Sequence, residues 1–308
     1  MSTQNKTTLL IDGNNTLHRA YWVANNIGKQ LTNSKGINTG SIFAFLKTVK
    51  SNADQFNTDK IYIAWDKKLG NKENFRKTLT EGTYKGNRDQ ERNKAVYGEA
   101  DAIVEITTML GIKNIFPGNL EADDVISWLS KTVPGKKIII SVDNDFAQLV
   151  SQDISFYNPI KKLLVDVNNF EENYGLTPEE FLIYKCIIGD KSDNIEGMDK
   201  IGKVRGQKLA KQWVAKDPKA LELCNERITT NQPLVDLSHG LAVHPEEVEL
   251  YSEQYNTINS QTSDFSKFEE KCKELEFNSI IEKLSDWKKT FNKQANNQAL
   301  VDFCKMFG

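Results

Sequence analysis

Nine carboxylates stand out by their surroundings. Asp12 (LLIDGNN), Asp66 (IAWDKK) and Asp143 (SVDNDF) each follow a short apolar run, and Asp145 lies just beyond Asp143. Glu121, Asp123 and Asp124 crowd into LEADDV, and Asp190 and Asp193 stand in GDKSDN. Carboxylate oxygens are hard ligands that suit Mg²⁺ or Mn²⁺ rather than zinc. Taken singly, each group has a plainer explanation. Acidic residues in a first helical turn are favoured by the helix dipole, and aspartates after strands commonly form turns and N-caps. Taken together, three strand ends and a helix start would gather many negative charges in a small volume, at a cost that cations must offset. Two divalent ions in such a cluster can activate a water, neutralise a scissile phosphate and stabilise a leaving oxyanion. That chemistry requires no covalent intermediate, and no convincing Ser-His-Asp or Cys-His arrangement is present in the sequence.

The elements that must position these residues are legible in outline. Residues Thr8 to Ile11, Ile61 to Trp65 and Ile138 to Val142 form apolar runs without polar alternation, which predicts strands buried on both faces of a parallel sheet. Helical periodicity fills the intervals: Thr39 to Asn52, with an apolar face of Ile42, Phe43, Phe45, Leu46 and Val49, then Ala95 to Leu110 and Leu120 to Lys131. Alternating strands and helices predict a right-handed α/β sheet whose ligands sit beyond the carboxyl ends of its strands, where Asp12, Asp66 and Asp143 lie. A second region opens at Thr177-Pro178-Glu179-Glu180, an N-cap, an N1 proline and a capping box that predict a helix running to Gly189. Beyond it, glycines punctuate a basic stretch, and the chain after Pro233 reads as mostly helical.

With 308 residues, 39% of them hydrophobic and 27% charged, the chain can bury one large domain and a smaller one. The first residues are polar and no apolar run approaches the roughly 20 residues that span a bilayer, so a cytoplasmic protein with no membrane contact is expected, in a host's cytoplasm if a phage encodes it. The four cysteines lie far apart and the three histidines form no ligand-spaced set with them, which argues against zinc and disulfides. The net charge of −2 conceals segregation: Lys67 to Lys94 holds nine basic and four acidic residues, and Gly197 to Lys211 five basic and one acidic. Basic segments of this kind can follow a phosphate backbone.

The blocks IDGNN, WDKK, FR…YKGNRD, LEADD, SVDNDFAQL and GDKSDNIEGMDKIG, in this order over about residues 8 to 215, resemble the phage-type 5′-3′ exonucleases and flap endonucleases, kin to the 5′-nuclease domain of bacterial DNA polymerase I. The resemblance implies a mostly parallel sheet flanked by helices (a PIN-like fold) in residues 1–176, with a helical arch at 67–94. It also implies a helical DNA-binding domain at 177–308 with a helix-hairpin-helix near 190–215 and a helical tail. It assigns Asp12, Asp66, Glu121, Asp123 and Asp124 to one metal site and its surroundings, and Asp143, Asp145, Asp190 and Asp193 to the other, with two Mg²⁺ ions for which Mn²⁺ can substitute. By the same resemblance Lys85 and Arg88 act on the scissile phosphate beside Asp66 and Asp123, and Arg76 follows the strand. Tyr84 is chemically suited to stack on a base. Gly202, Lys203, Arg205, Gly206 and Lys208 would grip duplex phosphates in the hairpin, where the family often holds K⁺. The looser Val204-Arg205-Gly206 segment departs from the family's usual small residues.

The implied substrates are 5′ flaps, nicked duplexes, single-stranded 5′ ends and, in RNase H fashion, RNA:DNA hybrids, cut during replication by a monomer. The apolar end Leu300 to Gly308 reads as a last packing helix, or else as a peptide for a sliding clamp or single-strand-binding protein. Two rival readings stand beside these: a branched-DNA-binding protein of the same fold that does not cut, and a Mg²⁺-dependent phosphatase using an aspartate nucleophile.

Overall fold

Leu9, Leu10 and Ile11 are all fully buried, Leu9 and Ile11 in one core and Leu10 in another, because alternate side chains of a strand point to opposite faces. The computed structural model describes residues 7–26, 31–66, 73–86 and 96–292. Within them, β1 (Thr8–Asp12), β2 (Ile61–Ala64), β3 (Lys113–Ile115), β4 (Lys137–Ile140), β5 (Ile154–Asn158) and β6 (Leu163–Val165) form one sheet in the order β3-β2-β1-β4-β5-β6. Neighbours from β3 to β5 run parallel and β6 is antiparallel. The chain moves outward from β1 to β3, then crosses to β4 on the other side of β1. The order therefore reverses between β1 and β4, and a crevice at their carboxyl ends is the place where such sheets bind ligands. The three uninterrupted apolar runs form β1, β2 and β4. Strands β3, β5 and β6 are short or carry polar residues, so the same signal does not mark them.

Helices α1 (Gly13–Asn26), α2 (Gly40–Gln55) and α4 (Ala100–Met109) cover one face; α3 (Phe75–Leu79) belongs to the arch segment. Ile42, Phe45, Leu46 and Val49 of α2 pack there with Ile103 and Ile106 of α4. The opposite face is covered by α5 (Ala122–Thr132), through Val125, Ile126 and Leu129, and by a 3-10 turn (Asn144–Leu149) that buries Phe146 and Ala147. A short helix, α6 (Phe170–Tyr174), leads to α7 (Pro178–Ile188), α8 (Lys203–Val214) and α9 (Pro218–Val235). These last three close a core of their own around Ile183, Cys186, Ile187, Leu209, Cys224 and Ile228. The expected capping box forms at the start of α7: Glu180 N donates to Thr177 Oγ1, and Thr177 N donates to the Glu180 carboxylate at 2.8 Å.

The remaining helices are α10 (His239–Val243), α11 (Pro245–Asn259), α12 (Phe265–Glu274), α13 (Asn278–Ile281) and α14 (Leu284–Phe291). They do not extend the helical unit. Tyr251 of α11 joins the core under α5, and Phe268, Trp287 and Phe291 join the core under α2. A division at residue 177 thus separates side chains that share a core; the unit with a core of its own is α7 to α9. Among the described residues, no helix is long and apolar enough to cross a membrane.

Candidate active site

Two glycines allow the backbone turns that set the carboxylates. A Cβ on Gly13 would lie 2.7 Å from the Ala64 carbonyl oxygen, so only glycine lets the chain after Asp12 cross so close to β2. Gly189 ends α7 with φ +68°, and a Cβ there would lie 2.4 Å from the Ile195 carbonyl oxygen. Asp190 and Ile195 then exchange backbone hydrogen bonds of 2.9 and 2.7 Å, which closes the turn bearing Asp190 and Asp193.

The asparagines of IDGNN fasten three strand ends together. Asn15 N donates to Asp12 Oδ1 at 2.9 Å, Asn15 Oδ1 accepts from Val142 N at 3.4 Å, and Asn14 Oδ1 accepts from Asp66 N at 3.0 Å. Ser141 Oγ, at the end of β4, donates to Asp12 Oδ2 at 2.9 Å. Asp66 Oδ1 accepts from Ala122 N at 2.8 Å, at the start of α5, where the helix dipole favours a negative charge. Asp143 Oδ1 accepts from Asp145 N at 2.9 Å. The ends of β1, β2 and β4 and the start of α5 thus converge, as the sequence pattern implied.

Burial and mutual repulsion leave several of these acids reluctant to ionise. Burial pushes Asp12 up to about 7, with Asp66 and Asp143 adding to the effect against its hydrogen bonds. Burial also raises Asp123 well above the usual carboxylate range, with Asp12, Asp143 and Glu121 contributing. Among the described residues the Asp123 carboxylate makes no hydrogen bond and no ion pair. Burial, then Asp143, pushes Asp145 up to about 6 despite a lysine beside it. A hard divalent cation would reverse each of these shifts, so the donor set suits such an ion. Among the described residues, no three His, Cys, Asp or Glu side chains form a ready cage for one ion.

Two lysines stand among the carboxylates. Lys85 Nζ lies 2.7 Å from Glu121 Oε1 and 3.8 Å from Asp193 Oδ2. Lys185 Nζ, from α7, lies 2.7 Å from both Asp145 Oδ1 and Asp190 Oδ2. Burial disfavours the Glu121 carboxylate, but Lys85 and Arg76 outweigh it and hold the group at about 2. Asp190 is likewise brought to about 2, burial being outweighed by Lys185 and Ser192. Lys185, Ser141, Asn14 and Asn15 are site residues that sequence reasoning missed. The two asparagines of IDGNN were the available signal; Lys185 had none short of the fold.

Four expectations meet a different placement. Asp124, expected among the metal ligands, is fully buried, with both oxygens engaged by Arg76 at 2.7 and 2.9 Å and Oδ2 also accepting from Glu121 N. Arg76, expected along a DNA strand, is 1% exposed and serves as the counter-charge to Asp124 and Glu121. Tyr84, expected to stack on a base, is 3% exposed, its ring in the core of α7 to α9 and its hydroxyl 2.9 Å from Glu121. Gly206, expected to approach phosphates, is buried: a Cβ there would lie 2.8 Å from Ile188 Cγ2, so it serves the packing of α8 on α7. Gly202, Lys203, Arg205 and Lys208 are exposed at the start of α8. Arg88 lies outside the described residues, as do half of the arch and the tail from residue 293.

The family described as "5′-3′ exonuclease, N-terminal resolvase-like domain" matches residues 7–175. A 5′-3′ exonuclease of Buchnera aphidicola subsp. Schizaphis graminum is 33% identical over 204 residues, covering 65% of this chain and 68% of that protein. DNA polymerase I of Lactococcus lactis subsp. cremoris is 29% identical over 263 residues, 82% of this chain but 28% of the polymerase. In fold, the chain is similar to the flap endonuclease of bacteriophage T5, solved in a complex with DNA and metal ions. The TM-score is 0.66 at 20% identity, over 83% of this chain and 100% of that one.

Proposed function

The chain belongs to the 5′-3′ exonuclease family, and on that footing we propose that it is a divalent-metal-dependent 5′ nuclease acting on 5′ flaps, nicks and single-stranded 5′ ends, and on the RNA of RNA:DNA hybrids. The observation that carries this reading is the meeting of Lys85, from the basic arch segment, with Glu121 at the start of α5, where the carboxyl ends of β1, β2 and β4 converge. A phosphodiester brought there would meet a cation supplied by the protein and a cluster of carboxylates suited to hard metal ions.

Asp12, Asp66 and Asp123 would hold one Mg²⁺, with Glu121 at its border, and Asp143, Asp145, Asp190 and Asp193 a second. When bound, such ions supply charge neutralisation at the phosphate and acidify a water. Lys85, joined by Arg88, orients the scissile phosphate and offsets the charge that grows on its oxygens in the transition state. Gly202, Lys203, Arg205 and Lys208 offer the start of α8 to duplex phosphates, a grip that carries no sequence preference. Asp124, Arg76, Tyr84 and Gly206 are engaged within the protein, and the reading leaves them out of the metal and DNA sets.

Incubation with a 5′-flap duplex in Mg²⁺ or in EDTA tests the reading. A short 5′ product in Mg²⁺ alone is expected. Binding without product in Mg²⁺ would favour a recognition protein of the same fold, and phosphate release from small monoesters a phosphatase.

A further inference from the structure

Both oxygens of Glu121 are taken by side chains from residues 76–85. Lys85 Nζ donates to Oε1 at 2.7 Å; Tyr84 OH and Arg76 Nη1 donate to Oε2 at 2.9 and 3.2 Å. Each of the other two donors, Arg76 and Tyr84, is itself fixed from another direction. Arg76 is buried, grips Asp124 with two nitrogens and donates through Nε to the Leu234 carbonyl at 3.0 Å, near the end of α9. The Tyr84 ring is set among Ile183 and Ile187 of α7.

The backbone of Lys85 is held as well. Its N–H donates to the Asp193 carbonyl at 3.0 Å, and Asn194 Nδ2 donates to the Thr83 carbonyl at 3.0 Å. Lys85 has φ +54°, in the left-handed region that a residue with a side chain occupies only where its surroundings over-determine it. A lysine with a long flexible stem would otherwise sample many positions, and the delivery of its ammonium depends on where the stem begins and what meets its end.

We propose that Arg76 and Tyr84 are positioning residues that clasp Glu121 and thereby hold the Lys85 ammonium at the carboxylate cluster. The inference rests on the reading that Lys85 acts on the scissile phosphate. The clasp joins three parts of the fold: the arch segment, the start of α5 and the helical unit of α7 to α9. Movement of any one of them shifts Lys85 relative to Asp12 and Asp123.

Tyr84→Phe is the chosen test, because it removes one oxygen and leaves the ring in its core. Single-turnover cleavage of a 5′-flap duplex in Mg²⁺ should slow roughly ten- to a hundredfold, while the dissociation constant for the same duplex in EDTA stays unchanged. In a Lys85→Ala background the same substitution should add nothing, since a residue acting through Lys85 has no effect without it. Arg76→Met, if it folds, should behave like Tyr84→Phe, with partial rescue by Arg76→Lys. A slow Lys85→Ala beside a wild-type rate for Tyr84→Phe, or a Tyr84→Phe loss undiminished in the Lys85→Ala background, overturns the clasp. A wild-type rate for Lys85→Ala itself removes the role of Lys85, and the clasp falls with it.

Discussion

The Lys185 ammonium stands 2.7 Å from Asp145, an ion pair that joins α7 to the turn after β4, and the same ammonium stands 2.7 Å from Asp190. One lysine thus serves as an internal cation for acids on both sides of the junction between the sheet and the helical unit. Its side chain is 13% exposed, so solvent offers little to replace it.

Lys185→Met should accordingly leave Asp145 and Asp190 short of a counter-charge. A loss of about 3 kcal/mol is expected from removing one partner of a buried pair, read from urea melts in EDTA. Divalent cations should restore more stability to the variant than they add to the wild type. An equal gain in both proteins would show that Lys185 does not share these acids with a metal.

The pH profile of stability should have two opposing limbs. Asp12 and Asp145 sit above their unfolded value of 3.8, at about 7 and about 6. The native chain therefore binds more protons than the unfolded one, and their contribution falls as pH rises from about 4 to 7. Glu121 and Asp190, both at about 2, have the opposite sign: their contribution is present above the unfolded values of 4.5 and 3.8 and is lost as pH falls toward 2. Urea melts in EDTA should thus show greatest stability near about pH 4, and Mg²⁺ should lessen the decline above it. A profile flat from pH 5 to 8 in EDTA would contradict the burial of Asp12.

Adjacent acids should separate cleanly by substitution. Asp123→Asn removes a charge that burial and neighbouring carboxylates oppose, so it should weaken Mn²⁺ binding in calorimetry with little loss of stability. Asp124→Asn breaks the two-pronged pair with Arg76 and should cost about 3 kcal/mol with the stoichiometry of Mn²⁺ intact. Reversed outcomes would return Asp124 to the metal ligands.

The start of α8 offers a contrast between its glycines. Nothing lies within 4 Å of a Cβ on Gly202, whereas one on Gly206 would meet Ile188 and Tyr184. Gly206→Ala should lower stability by about 1–3 kcal/mol and spare duplex affinity below its melting temperature. Lys203→Ala and Lys208→Ala should spare stability and each reduce the salt slope of duplex binding by about 1. Unchanged slopes in both would remove this helix from the interface.

Much of the site was legible because local rules govern it. Uninterrupted apolar runs marked β1, β2 and β4, and the aspartates after them had to lie at one edge once the strands were parallel. Thr177 and Glu180 announced the start of α7 through a capping box that needs only four residues. Strands β3 and β6, three residues each, and the return of α11 to α14 to the sheet carry no comparable local signal, since their places depend on which apolar faces remain uncovered.

The sequence by itself determined the class of sheet, the edge where the carboxylates gather and the two basic segments, because strand period, helix caps and charge runs are short-range properties. Which acid is neutralised by which partner was decided only by the tertiary structure. Asp123 and Asp124 are neighbours in the chain, yet the turn of α5 directs Asp124 into Arg76 and leaves Asp123 among Asp12 and Asp143. Lys185 meets Asp145, and Tyr84 and Lys85 meet Glu121, across separations that no local pattern encodes. Long-range packing sets those distances, and Coulomb energy in a buried site depends steeply on them.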